Sequence, residues 1–435
     1  MSGQHGVTEN CYLTERLGPR ILATHPTGRF VYVANWDLDT ISAYGVEPAT
    51  GALAPIGAAP YATGSHPRAV TIDPTGRFIY AANWDSQTIS GFTVDPASGA
   101  LAEMAGSPFA AGLRPRNVRL DSLGKFAYVS NRDSNDISAF AVAPDTGALI
   151  PVTKSRVTTG RRPRSTAVGP TGKFAYVAHQ GSHTISAFSI EPATGALHPV
   201  AGSPFAVGDD PRSVNVDPTD RFVYVANRAS HDVSAFQINP TTGQLTPAPG
   251  SPFPTGKRPF AMLVHPTGKF CYVVNLRSDS LSAFAIDQES GSLRPIPGSP
   301  FAAGTRPLFP TLDPAGKFLY ASNQDSNNIS AYAIDQLTGG LTPVPGSPFR
   351  VERPALPGVR PREATVDPTG RFLYLLNRKT DTISAFKIDA ETGALTPVAG
   401  SPFAPGSRRS VKYWWVLALM VGKTWRAARY SRRRK

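Results

Sequence analysis

The chain repeats itself at a step of 48 residues, and that period limits its fold more than any other feature. The unit is clearest at Asp73-Pro74-Thr75-Gly76-Arg77-Phe78-Ile79-Tyr80-Ala81-Ala82-Asn83, followed by Thr88-Ile89-Ser90-Gly91-Phe92. The glycine that closes its first turn returns at Gly28, Gly76, Gly124, Gly172, Gly268, Gly316 and, after one longer step of 54, Gly370. Asp220 takes the fifth place, so the unit occurs eight times. A period of this size marks supersecondary units that stack around one continuous core. The 435 residues therefore divide into an N-terminal extension (1–16), one repeat domain (17–406) and a C-terminal tail (407–435).

Within one unit the strand signals are short and apolar. Ala69 to Ile72 is a β-branched run, and Asp73-Pro74-Thr75-Gly76 is a type I turn. Phe78 to Ala82 is a second strand. A polar loop from Trp84 to Gln87 leads to a third at Ile89 to Val94. After the turn Pro96 to Gly99, Leu101 to Ala105 is a fourth. Gly106-Ser107-Pro108-Phe109 then reads as a connector. Four antiparallel strands, apolar on both faces because each unit is sandwiched between two others, make a propeller blade. The expected fold is all-β, an eight-bladed β-propeller. A seven-bladed ring is the alternative, with one unit displaced or residues 1–16 joining the last blade.

The repeats act as an internal control, since a residue type present in every blade is explained most simply by the blade. Ser42, Ser90, Ser138, Ser186, Ser234, Ser282, Ser330 and Ser384 recur in all eight. They read as structural hydrogen-bonding positions rather than nucleophiles. Asparagine ends the second strand in seven blades and His179 ends it in the other. The position opening the first strand is more informative: Arg20, Arg68, Arg116, Arg164, Arg212 and Arg362, with Phe260 and Leu308 in blades six and seven. The first strand is innermost in a propeller, so six arginines would ring one channel mouth. Guanidinium forks suit carboxylate and phosphate. In the opposing reading each arginine pairs with a loop acid such as Asp37, Asp85, Asp133 or Asp232.

Some features belong to single blades. His179 and His183 flank one loop, but no third ligand accompanies them, so no metal site is expected. Trp36-Asp37 and Trp84-Asp85 occupy the same loop in blades one and two only. Lys154-Ser155-Arg156-Val157 replaces Gly-Ser-Pro-Phe in blade three, and a longer proline-rich connector spans 350–360.

Net charge is +13, yet ten cations and no acid lie in 407–435, which leaves the rest at only +3. A nucleic-acid surface on the propeller is therefore not expected. The tail holds a nine-residue apolar run flanked by cations, too short to span a bilayer. It fits weak contact with an anionic membrane surface. Cys11 and Cys271 form no disulfide framework. Residues 1–16 hold no apolar run, so a cytoplasmic location is the default expectation.

The runs Tyr32-Val33-Ala34-Asn35 and Tyr224-Val225-Ala226-Asn227, with the recurring Ile-Ser-Ala-Phe, Thr-Gly-Ala-Leu and Pro-Thr-Gly-Lys/Arg-Phe phrases, resemble the YVTN-repeat propellers. More narrowly, residues 17–406 resemble the lactonase-type β-propeller family, which includes the propeller form of 6-phosphogluconolactonase and the fungal carboxymuconate cyclases. The resemblance implies cofactor-free, metal-independent hydrolysis of a small anionic, sugar-type lactone. Its active members enter one blade through Gly-Pro-Arg-His with Asn-Glu after the second strand, and another through His-x-His. Gly18-Pro19-Arg20 matches, with Ile21 in place of the histidine, and Asn35 matches, with Trp36 in place of the glutamate. His66-Pro67-Arg68 keeps the first histidine of the pair. Only Arg20 and His66 carry over from the family pattern; in the hydrolase reading the arginines Arg20, Arg68, Arg116, Arg164, Arg212 and Arg362 hold the anion while His66, His179, Asp37 or Asp85 activates water. The alternative is a non-catalytic platform that binds a protein or a small anion at the channel mouth.

Overall fold

A computed structural model describes residues 18–57, 60–351 and 359–404. The N-terminal extension, the basic tail with its membrane-surface expectation, and most of the 350–360 connector lie outside these residues.

Eight antiparallel sheets follow one another along the chain. Blade one runs Ile21–Thr24, Phe30–Asn35, Thr40–Val46 and Leu53–Pro55 from the inside outwards. The innermost strand of each blade neighbours those of both flanking blades, and Ile21–Thr24 neighbours Pro361–Val366. The ring therefore closes with eight blades, each built from its own consecutive strands.

The joint between blades explains several invariant residues at once. Phe30, which opens the second strand of blade one, lies where a Cβ on Gly99 of blade two would have to go. Gly99 also holds a φ of +72°, which favours glycine. Two residues on, the buried Tyr32 hydroxyl donates to the Gly99 carbonyl at 2.9 Å. The same bond recurs from Tyr80 to Gly147, Tyr128 to Gly195, Tyr224 to Gly291, Tyr272 to Gly339 and Tyr320 to Gly393. Tyr374 donates to Gly51 at 3.1 Å and joins blade eight to blade one. Among the described tyrosines, only Tyr176 has a buried hydroxyl without a partner. The apolar core lies in these joints: Tyr32, Ile41 and Phe30 of blade one meet Val70, Ile79 and Phe92 of blade two.

The outer strand differs from expectation. Leu101–Glu103 and Phe109–Ala110 both pair with Thr88–Val94, so the Gly-Ser-Pro-Phe phrase interrupts one outer strand rather than linking two blades. Proline cannot donate to the ladder, which opens it there. Blade three lacks the phrase and has a single Leu149–Thr158 strand, whose pairing with Asp136–Val142 shifts register between Pro151 and Arg156.

The invariant serines are structural. Asn35 Nδ2 donates to Ser42 Oγ at 2.8 Å, and Asn131, Asn227, Asn275, Asn323 and Asn377 do the same in their blades. Asp73 caps its own turn by accepting from Phe78 N and Thr75 N. Blade four has Gly169 at that position. Its place is filled by Asp220 of blade five, whose carboxylate accepts from Thr171 N at 3.2 Å and from the Thr171 hydroxyl. The exceptional Asp220 thus compensates for the missing turn acid. Asp220→Gly is expected to lose about 1–2 kcal/mol of stability in chemical denaturation by leaving the turn groups unmet. Adding Gly169→Asp should restore most of it. Additive losses in the double variant would refute the exchange.

Candidate active site at the channel mouth

A proline precedes each arginine of the first strands, and in seven blades the residue before that proline is left-handed: His66, Arg114, Arg162, Asp210, Arg258, Arg306 and Arg360. The backbone N–H of this residue reaches into the preceding blade. His66 N donates to Asp39 Oδ1 at 2.6 Å, Asp210 N to His183 Nδ1 at 3.1 Å and Arg258 N to His231 Nδ1 at 3.0 Å. These latches fix the start of each innermost strand and hence the origin of each arginine side chain.

The arginines converge. Arg68 feels the charges of Arg362 and Arg212, and Arg116 feels Arg68, Arg164 and Arg212, although several of these blades are not neighbours. Burial first, then the charges of Arg68, Arg362 and Arg378, pushes Arg20 down to about 8. The same causes, burial leading, lower Arg68 to about 9 and hold Arg116 and Arg164 well below the ordinary guanidinium range. Burial also brings Arg362 down to about 10. Guanidinium groups nonetheless stay protonated at neutral pH, so the folded state carries the cost of crowding these charges. The Nε atoms of Arg20, Arg164 and Arg362 are buried without a hydrogen-bond partner.

Most of the acids proposed as their partners are engaged elsewhere. Asp85 Oδ2 meets His66 Nδ1 at 2.5 Å, Asp133 bridges Arg114 and Arg132, and Asp232 accepts from Asn227. Asp37 lies close enough to Arg20 to offset part of its depression. Arg212 has an acid nearby, Asp210 at 3.4 Å, which it shares with Arg228.

The two loop tryptophans build one wall of the mouth. Arg20 lies over Trp36 at 4.0 Å, and Arg68 and Arg116 over Trp84 at 4.9 and 5.8 Å. The two indoles are 6.2 Å apart, and His66 stacks on Trp36 at 4.9 Å. His66, Asp85, Trp36 and Arg20 therefore form one connected group. A cleft beside it is lined by Trp84, Asp85, Gln87, Leu113, Arg114 and Asp133.

His179 lies apart from this group in chemistry. It is fully buried, its Nε2 is 2.8 Å from Ser186 Oγ, and burial pushes it down to about 3. It takes the place that asparagine holds in the other blades and stays neutral, away from the water it was expected to activate. His183 serves as a blade latch and meets Asp209 at 3.3 Å. Among the described residues no cluster of three His, Cys, Asp or Glu could hold a metal ion.

Sequence reasoning passed over Glu363. It follows Arg362 on the innermost strand of blade eight, where the other blades have Ile21, Ala69, Asn117, Ser165, Ser213, Ala261 and Phe309. Burial, only partly offset by Arg362 and Arg119, lifts its carboxyl to about 7. Arg119, on the innermost strand of blade three, feels Glu363 in turn, so the carboxylate lies within reach of both Arg362 and Arg119. A single acid in one of eight equivalent positions was the signal that could have found it.

The fold is a closed β-propeller with arginines gathered at one mouth. The chain belongs to the lactonase, 7-bladed β-propeller family, whose sequence model matches residues 13–112, 104–208, 203–257, 247–356 and 345–411. It departs from that description by closing with eight blades. Among solved structures it is similar to a candidate 6-phosphogluconolactonase of Bacteroides uniformis, with TM-score 0.58 and 21% identity over 75% of this chain and 93% of that one. A second, from Bacteroides fragilis, gives TM-score 0.57 and 22% identity over 84% and 92%. The periplasmic gluconolactonase of Pseudomonas aeruginosa gives 0.53 and 20% over 83% and 93%. At these identities the likeness is one of fold. No curated protein matches the chain.

If the ring is an anion site, phosphate should stabilise the folded chain, by about 2.7 kcal/mol at a hundred times its Kd. The double variant Arg20→Ala, Arg68→Ala should lose that gain in thermal unfolding, with an anion-free Tm no lower than wild type because buried like charges have been removed. A lower Tm with and without phosphate would make the two arginines structural pairs.

Proposed function

We propose that the chain is a lactonase-like hydrolase of a small anionic lactone, on the pattern of 6-phosphogluconolactonase. One observation carries this reading: arginines from six blades converge at the channel mouth, and Glu363, beside Arg362 on an innermost strand, has its carboxyl lifted to about 7 by burial. A base is most useful when its pKa lies near the working pH, and burial is the usual way to bring a glutamate there.

In this mechanism Arg20, Arg68 and their neighbours hold the substrate's anionic group and present further donors to the carbonyl oxygen. Glu363 as carboxylate takes a proton from water while the water oxygen bonds to the lactone carbonyl carbon. The negative charge that develops on the carbonyl oxygen is met by guanidinium donors already in place, so no reorganisation is needed as it forms. The tetrahedral intermediate then collapses and the ring C–O bond breaks. The proton on Glu363 passes to the departing alkoxide. The product is the open hydroxy acid, which ionises and releases one proton at neutral pH. His66, turned by Asp85, is the second base within the group and retains its Nε2 for water or substrate. Asp37 tunes Arg20 from the rim.

The second reading, a binding platform without turnover, rests on Trp36 and Ile21. They stand where the family resemblance places glutamate and histidine. Ile21 is packed against the blade core and Trp36 is buried against Arg20.

Proton release during hydrolysis of 6-phosphogluconolactone and a panel of small lactones decides between them. Turnover above the spontaneous rate is expected, with kcat/KM rising through a limb near pH 7. Glu363→Gln should lower kcat by about 10²–10⁴-fold and remove the limb. A limb that survives in Glu363→Gln and vanishes in His66→Asn would assign the base to His66. A folded sample that binds phosphate and turns over no lactone would establish the platform.

A further inference from the structure

The arginine ring has a gap, and the gap has its own chemistry. Where six blades place an arginine, blade six has Phe260 and blade seven Leu308. The next residue in blade seven is Phe309, whose ring meets Phe260 edge-on, 5.4 Å between centroids at 85°. Blade six is apolar again after its second strand, with Leu276 where blades three, five and eight have Arg132, Arg228 and Arg378. Leu308 and Leu276 are buried, while Phe260 and Phe309 are half-buried against the core beneath blades six and seven. Arg212 lies over Phe260 at 5.5 Å and joins this apolar arc to the charged one.

The blade itself does not require these side chains. Six other blades fold with arginine at the same position after the same proline. Aromatic surface left in a wet mouth gains free energy when a ligand covers it. Sugar hydroxyls laid on it would lose water without gaining hydrogen bonds. At the ring position the mouth is therefore two-sided, arginine in blades eight and one to five and apolar in six and seven, where Arg258 and Arg306 stand two residues earlier and Arg306 pairs with Asp325. Resting on the anionic-lactone reading above, we infer that the preferred substrate is a lactone with its negative charge at one end and an aromatic or alkyl group at the other, rather than a polyhydroxylated sugar lactone.

Phenyl phosphate and glucose 6-phosphate test this by calorimetric titration of the full chain. They share the phosphate and differ in the part that meets the arc. Phenyl phosphate is expected to bind about tenfold more tightly, the scale of one good aromatic contact. Phe260→Arg installs the residue six other blades already carry, so it should fold. It should abolish the phenyl phosphate advantage while leaving glucose 6-phosphate bound at least as well. Equal or tighter binding of glucose 6-phosphate by the wild type would overturn the inference and leave the hydrolase reading standing. So would an advantage that persists in Phe260→Arg. Binding of neither phosphate would remove the anion site, and both readings with it.

Discussion

The hydrogen bond from a second-strand tyrosine to a turn glycine of the following blade is the contact on which this architecture depends. It works only where the glycine has no Cβ to meet the phenylalanine ring beside it, so Phe30, Tyr32 and Gly99 are one device. Repeated at seven of the eight joints and closed by Tyr374 and Gly51, it fixes how those blades lean on the next. Once the blades are fixed, the innermost strands have no choice but to crowd the axis. Whatever opens those strands is then gathered at one mouth.

What opens them is arginine, and that choice works against stability. Two like charges about 8 Å apart in a setting of effective dielectric about 20 repel by roughly 2 kcal/mol. Several such pairs are a large fraction of the 5–15 kcal/mol, in rough terms, that holds a domain folded. Acid partners would have relieved the repulsion, but Asp85, Asp133 and Asp232 are bound to other groups. The proposed function meets that charge with a negative ligand on the axis and assigns proton transfer to Glu363, beside Arg362. The interruption of the ring by Phe260, Leu308 and Phe309 gives the same mouth an orientation.

The period, the eight blades and the arginine positions were legible because they recur at fixed offsets, and recurrence separates fold from function without an alignment. Closure was not, since Tyr374 and Gly51 stand 323 residues apart. Splitting of the outer strand was hidden because a serine-proline phrase reads equally well as a connector. His179 drew attention as a histidine, yet it does the work of an asparagine, and only its burial and Ser186 contact show that. Glu363 escaped because the comparison across blades stopped at the arginine and did not move one residue on. Asp220 was legible as an exception, but its purpose lay in the neighbouring blade, where Gly169 leaves a turn uncapped.

In the proposed function the ring arginines are held toward an anion on the axis. A crystal structure of the chain grown with tungstate, a heavy phosphate-like oxyanion, tests it most directly. A strong anomalous peak is expected on the channel axis within hydrogen-bonding distance of Arg20, Arg68 and Arg116. An empty axis, with each of those arginines turned to an acid of its own blade, would contradict it.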